Sequence, residues 1–202
     1  MNGFWGFRGR RFVSIIGSRG TPSEAIRLLE DTGECLCNRG IAVSSGDAEG
    51  ADQAGVRGAM RSSWWPDIGA RVYLPWNGVR RADGSRRWAD NRIYFDASMF
   101  ENYEQAKEIA RKARGSFEGL KRGGIALHSR NPYQVLLDNL ATPVASVVCW
   151  AKPVGKKGMV SGGTNTAVQI ALQHKIPVIN LATDEGMEKI LSFLKRKGYR
   201  HD

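Results

Sequence analysis

Short β-branched runs alternate along the chain with stretches whose apolar residues recur every three or four positions, the pattern of strands followed by amphipathic helices. Residues 12–16, FVSII, form the first run and end at Gly17, which predicts a buried strand. A helix start follows. Thr21 is placed to cap it, Pro22 falls where a missing N–H costs nothing, and Glu24 lies three residues beyond the cap. Ala25, Ile26, Leu28, Leu29, Cys35 and Leu36 keep roughly helical spacing until Gly40 stops the run. Residues 41–45, IAVSS, make a second strand broken at Gly46. A second helix begins near residues 50–52 and carries Ala54, Val56, Ala59 and Met60. Residues 71–75, RVYLP, complete a β-α-β-α-β series, which predicts a parallel sheet with covering helices.

Residues 76–122 interrupt this rhythm. The turn pairs Asn77-Gly78 and Asp83-Gly84, with arginines at 80, 81, 86 and 87, mark a basic loop. A helix is predicted over 98–114, with Tyr103, Ala106, Ile109, Ala110 and Ala113 on one stripe. The stretch is too poor in apolar residues to build a core of its own, so it reads as an insertion in a single domain spanning 1–202. Beyond it, Asn131, Pro132 and Tyr133 open a helix whose buried face is Val135, Leu136, Leu137 and Leu140. Residues 144–150, VASVVCW, are the clearest strand. A helix over 165–174, a strand over 176–180 and an amphipathic helix over 184–197 close the chain. The expected fold is α/β: a Rossmann-like open parallel sheet with helices on both faces and a basic insertion at about 76–122.

Charge narrows the partners. Thirty Lys and Arg against twenty Asp and Glu give +10, a field that attracts polyanions and adds weight to nucleic acid or a phosphorylated ligand. Cys35 and Cys37 are too close for an ordinary disulfide, and no second Cys/His pair completes a zinc site, so neither metal nor cofactor is expected. Three thiols suit a reducing compartment. The basic, aromatic start lacks a signal-peptide core, and no run of 18 apolar residues occurs, so a cytoplasmic protein without a membrane partner is expected. The Trp64-Trp65 pair reads as a hydrophobic lid or an oligomer contact, which leaves a homo-oligomer open.

Two glycine turns carry the candidate chemistry. Gly17, Ser18, Arg19 and Gly20 follow the first strand directly. Glycines let the backbone turn sharply there, and the free N–H groups of the next helix favour a phosphate. The dinucleotide fingerprint G-x-G-x-x-G is absent, which argues against ordinary NAD binding. The second turn is Ser161, Gly162, Gly163, Thr164, Asn165 and Thr166, which offers backbone and side-chain donors behind a flexible basic loop at residues 152–158. In an open parallel sheet both turns fall at the carboxyl ends of strands, where ligands bind. A third cluster, Gly46, Asp47, Glu49 and Asp52, places three carboxylates after the second strand. They are candidates for a general base or a ribose contact, while Asp52 also suits the N-terminus of a helix.

In this order the segments resemble the DprA/Smf and LOG-like superfamily of Rossmannoid nucleotide-binding domains. The turn at 16–19 resembles its opening glycine-serine-arginine turn, and residues 45–52 are similar to its S-G-x-A-x-G-[IA]-D motif. Arg130 and Asn131 match its R-N pair, and residues 161–167 with Ala171, Pro177 and Val178 resemble its closing motif. The match covers roughly residues 12–75 and 125–182. The resemblance implies two kinds of function. DprA-type members bind single-stranded DNA through a basic pocket at these turns and load recombinase. LOG-type members release a base from a nucleoside monophosphate through P-G-G-x-G-T-x-x-E. On that motif this chain has Ser161 at the proline, Asn165 at the third glycine and Gln169 at the catalytic Glu. Gln cannot supply the negative charge that stabilises an oxocarbenium-like centre, which counts against LOG-type hydrolysis.

The leading expectation is therefore a DprA-like binder of a nucleotide phosphate or single-stranded nucleic acid with little or no catalysis. Arg19, Arg130, Lys152, Lys156 and Lys157 would supply charge. Trp76, Tyr133 and Trp150 are candidate base platforms whose commoner role is packing, and His128 reads as structural. Two alternatives stand beside it. One is an N-glycoside hydrolase or transferase using Asp47, Glu49 or Asp52; the other is a ligand-sensing or interaction module that keeps the fold.

Overall fold

The computed structural model of the chain describes residues 10–155 and 158–199; residues 1–9 of the basic aromatic start, and Lys156 and Lys157 of the basic loop, lie outside the described residues. Strand β1 (Arg11–Gly17) leads to α1 (Ser23–Cys37), β2 (Ile41–Ser45), α2 (Ala51–Met60), the single turn α3 (Trp65–Ile68) and β3 (Ala70–Leu74). A small hairpin, β4 (Val79–Arg80) and β5 (Arg86–Arg87), precedes β6 (Tyr94–Asp96), α4 (Tyr103–Arg114), α5 (Arg122–Ser129) and α6 (Asn131–Leu136). Then come β7 (Ser146–Trp150), α7 (Thr164–Gln173), β8 (Val178–Asn180) and α8 (Asp184–Lys195).

One sheet of six strands runs in the order β6-β3-β2-β1-β7-β8, with every neighbouring pair parallel. Alternation along β1 divides the core. Val13 and Ile15 pack on one face with residues of α1, α2 and α8, whereas Phe12 and Ile16 pack on the other with α6 and α7. This is the expected Rossmann-like sheet with helices on both faces. Glycines bring α1 and α2 unusually close: a Cβ on Gly33 would lie 2.2 Å from the Gly55 carbonyl oxygen, and one on Gly58 would lie 1.8 Å from that of Glu30. A Cβ on Gly55 would meet Ile15 at 2.6 Å, so α2 is also pressed onto β1. That contact sets the N-terminal residue Asp52 of α2 under the end of β1.

The stretch 76–122 divides in three. The basic hairpin stands apart as a two-stranded sheet, β6 joins the main sheet as its edge, and α4 packs against the second face through Ala113 and Ile109. The helix expected from residue 98 starts at Tyr103 instead. The Asp96 carboxylate accepts from the Ser98 N–H and Oγ (2.9 and 2.6 Å), fixing a 3-10 turn over Ala97–Met99, and Phe100 is extended. Helix α6 stops at Leu136, short of the expected Leu140. Leu137 and Leu140 both adopt positive φ (56° and 54°), a conformation costly for leucine, held here by burial of both side chains. Neither β6 nor α5 was foreseen, and the one-turn helix α3 carries the tryptophan pair: Trp65 packs against the core while Trp64 is exposed. Among the described residues no helix is long and apolar enough to cross a membrane, and no three His, Cys, Asp or Glu side chains gather as a metal site.

Candidate functional site

Chain order reverses between β1 and β7: β2 and β3 extend the sheet to one side, β8 to the other. Loops leaving the carboxyl ends of two such strands diverge to opposite faces and open a crevice. A cavity of about 390 Å³ lies at this point.

The first glycine turn forms one wall. Gly17 N–H donates to Asp52 Oδ1 (2.8 Å) and Ser18 N–H donates to the Trp150 carbonyl (2.9 Å), which ties the turn to both α2 and β7. Gly17 has no room for a side chain, because a Cβ would lie 2.5 Å from the Trp150 oxygen and 2.7 Å from Ala51 Cβ. Ser18 Oγ accepts from Gly20 N–H (3.2 Å). Thr21 corrects the capping expectation: its hydroxyl donates to the Ser18 carbonyl (2.6 Å), and α1 is preceded by Pro22 with no side-chain cap. The hydroxyl closes the turn instead of the helix. Arg19 is exposed on the rim.

The second turn forms the opposite wall. Ser161 N–H donates to the Lys152 carbonyl (2.8 Å), and Asn131 Nδ2 donates to the Gly163 carbonyl (3.1 Å). Asn165 and Thr166 N–H groups bond back to the Gly162 and Gly163 carbonyls (3.2 and 3.3 Å). The N–H groups of Gly162, Gly163 and Thr164 are left without a protein partner among the described residues. Free N–H donors at the positive end of a helix are groups to which an anion is attracted. Gln169, at the position aligned with the LOG glutamate, donates to the Gly158 carbonyl (3.0 Å) and Asn165 Oδ1 (3.3 Å), and so holds the loop before the turn.

Behind the cavity lies a buried ion pair. Asp52, 2% exposed, accepts from Gly17 N–H at one oxygen and from Gly46 N–H (3.1 Å) at the other, and Arg130 Nη1 stands 3.7 Å away. Burial pushes the Asp52 carboxyl up; Arg130 and the N–H groups of Gly17, Ala48 and Gly46 pull it back. Arg130, 6% exposed, donates to the Tyr73 carbonyl (3.2 Å), while its Nε has no partner. The guanidinium fits only because position 46 is glycine: a Cβ there would lie 1.2 Å from Nη1. Gln134 completes the layer, its nitrogen donating to Asn131 Oδ1 (2.9 Å) and its oxygen accepting from Arg130 Nη1 (3.3 Å).

Of the residues singled out in the sequence, Gly17, Ser18, Arg19, Asp52, Arg130 and Asn131 line the cavity on one side. Ser161, Gly162, Gly163 and Thr164 line it on the other. Gly20, Gly46, Asp47, Glu49, Asn165 and Thr166 are not on its wall. Gly46 backs Arg130, Asn165 Oδ1 accepts from Val160 N–H (3.1 Å), and Thr166 is buried. The three carboxylates have separate fates. Asp52 ties the first glycine turn to Gly46, Glu49 is exposed, and Asp47 pairs with Arg87 (3.0 Å) and Arg81 (3.7 Å) of the basic hairpin. Tyr133 is fully buried against Tyr73 and offers no face to a base. Gly124, Leu127, His128 and Gln134 also line the cavity. Sequence reasoning missed Gln134, which stands four residues after Arg130 and hence on the same helical face.

His128 Nδ1 lies 2.8 Å from Thr166 Oγ1. Burial, with Arg114 and Arg130 nearby, holds its imidazole below the ordinary 6.5. The neutral form is thus the folded form, and its stabilisation is present above pH 6.5 and lost as pH falls through the lowered value. Wild-type Tm is expected to drop more steeply than that of His128→Gln between pH 7.5 and 5; parallel profiles would remove His128 as the titrating group.

The family profile of DNA recombination-mediator protein A matches residues 1–65. The structure of DNA processing protein A from Helicobacter pylori, whose description concerns its single-stranded DNA binding mode, superimposes with a TM-score of 0.55 at 13% identity, over 94% of this chain and 82% of that one. The molybdenum cofactor carrier protein of Chlamydomonas reinhardtii gives a TM-score of 0.48 at 17% identity, over 93% and 85%. Among curated proteins none matches the sequence. The superfamily resemblance read from the motifs is borne out: the profile spans the segment with the first two of them, and the Helicobacter structure extends the fold over nearly the whole chain.

Proposed function

We propose that this DprA-like Rossmannoid chain is a cytoplasmic binder of single-stranded nucleic acid, holding one backbone phosphate in the cavity between its two glycine turns. The carrying observation is the set of N–H groups of Gly162, Gly163 and Thr164 at the start of α7, unpartnered among the described residues, on the same cavity as buried Arg130. These donors are backbone groups held by the fold, so they bind an anion without losing side-chain entropy. The net charge of +10 and the family profile over residues 1–65 favour a polyanion over a free nucleotide. Catalysis is not required. Asp47 and Asp52 are engaged by arginines and backbone donors, which leaves Glu49 as the exposed carboxylate of the acidic cluster.

A salt titration tests this reading. Fluorescence anisotropy with a labelled oligo-dT is expected to show affinity falling steeply between 50 and 200 mM salt, with about 0.7 in log–log slope per phosphate contacted. Arg19→Ala, on the exposed rim, is expected to weaken binding and reduce the slope by about one contact. Absence of oligonucleotide binding at the low-salt end sinks the proposal, as does equal affinity for a mononucleotide. Release of free base from a nucleoside monophosphate, lost on Glu49→Ala, would transfer support to the hydrolase alternative.

A further inference from the structure

Helix α5 has a cavity on each flank. Gly124, Leu127 and His128 face the phosphate cavity, while Gly123, Ile125 and Ala126 face a second space of about 740 Å³. That space is also lined by Trp76, just beyond β3, by Tyr103, Glu104 and Lys107 on α4, and by Arg122 at the start of α5. The Trp76 ring edge lies 3.7 Å from where a Cβ on Gly123 would stand, so the ring packs close to the start of the helix. Trp76 is 37% exposed although it lies beside the core strands, and Arg122 is exposed. Lys107 is paired with Glu104 (3.0 Å), so among the described residues that line this space Arg122 is the cation without a carboxylate partner.

An aromatic platform, a cation and a glycine-lined floor suit a nucleobase and its following phosphate. A purely apolar peptide would leave Arg122 uncompensated. The two spaces share α5 as a wall, so a single nucleotide fills one of them and occupying both takes a chain of nucleotides. We infer that the groove between Trp76, α4 and the start of α5 is a second nucleotide subsite, stacking a base on Trp76 and pairing its phosphate with Arg122, next to the phosphate cavity. This inference rests on the proposed function, since the strand must first be anchored between the glycine turns.

Affinities for a mononucleotide and for single-stranded oligonucleotides of increasing length separate the two. Wild type is expected to gain affinity with length. Trp76→Ala is expected to lose about 5- to 150-fold of that gain, as for removal of one stacked base, with mononucleotide binding unchanged. Trp76→Phe should retain most of the gain, and Trp88→Ala, an exposed tryptophan outside the groove, should retain all of it. Thermal denaturation of each variant monitors folding, and if Trp76→Ala does not fold, Arg122→Ala at an exposed position carries the test: it should lose part of the gain with length, and full affinity for long oligonucleotides overturns the subsite. Full affinity of Trp76→Ala for long oligonucleotides overturns the subsite. If Gly163→Asp abolishes binding in the same assay, the phosphate cavity stands without the subsite. Failure of the wild type to bind any oligonucleotide overturns the proposed function as well.

Discussion

Asp52→Ala is expected to cost the fold about 3–5 kcal/mol, the range for breaking a buried ion pair by removing one partner. The residue is 2% exposed and each carboxylate oxygen accepts from a backbone N–H, one in the first glycine turn and one at Gly46. Alanine would leave both donors and the Arg130 guanidinium without compensation, and unsatisfied buried donors are expensive individually. For a chain of this size the loss corresponds to a fall in Tm of about 6–20 °C. Asp52→Asn keeps an acceptor for Gly17 but turns an amide toward the other donors, so most of the loss should remain. Glu49→Ala, three residues away and exposed, should stay within about 0.5 kcal/mol of wild type. Replacing the pair together, Asp52→Ala with Arg130→Met, should recover part of the stability without restoring the Arg130 contribution to nucleic-acid binding. Thermal denaturation decides it: an Asp52→Ala Tm equal to that of wild type would mean that the pair does not hold the first glycine turn against Gly46.

Gly46→Ala should separate the site from the fold in the opposite way. The added Cβ would fall 1.2 Å from Arg130 Nη1 and 2.3 Å from the Gln134 side-chain amide, both far ends of long side chains. Driving those groups aside costs about 1–3 kcal/mol of overpacking and also weakens the Asp52–Arg130 pair, but Asp52 keeps its Gly17 and Gly46 donors, so the chain should be less stable than wild type and still fold. Arg130 could not keep its place beside Asp52 and the cavity. Affinity for single strands is expected to fall by about 10- to 150-fold, the loss of one charge-assisted contact of roughly 1.5–3 kcal/mol. Gly17→Ala is the contrasting case. There the new Cβ meets the Trp150 backbone and Ala51 Cβ, which cannot swing away, so folding and binding should fail together. Anisotropy and circular dichroism on the two variants distinguish these outcomes, and unchanged affinity in Gly46→Ala would remove Arg130 from the binding site.

Much of this architecture is legible in the sequence because its strands and helices have different periods. Residues 12–45 and 144–197 read correctly in type and order. Buried parallel strands there are short β-branched runs, and the helices between them keep one apolar face. The edge strand β6 is three residues long, and one-sided pairing gives it no long apolar run, so the arginine-rich flanks dominate the reading. Helix α5 begins Arg-Gly-Gly, a poor helix former that is tolerated because both glycines line cavities. The early end of α6 was hidden because left-handed leucines carry no local signature.

The same contrast holds at the site. The glycine turns are legible since backbone approach to an anion demands particular residue types at particular places. The contact between Gly46 and Arg130 joins residues far apart in the chain, and the packing of α6 across β2 and β3, where Ser44 Oγ donates to the Gln134 carbonyl and Arg130 Nη1 to the Tyr73 carbonyl, brings them together. Asp52 was seen as a candidate, yet its double attachment to Gly17 and Gly46 depends on how closely α2 is pressed onto β1.

Phosphate capture by the backbone of the two turns is most directly tested by nitrogen–proton correlation spectra of the labelled protein titrated with a short single-stranded oligonucleotide. The expected result is that the amides of Gly162, Gly163 and Thr164 shift most, with Arg19 following and α8 unmoved. Binding that leaves those three amides in place would contradict it.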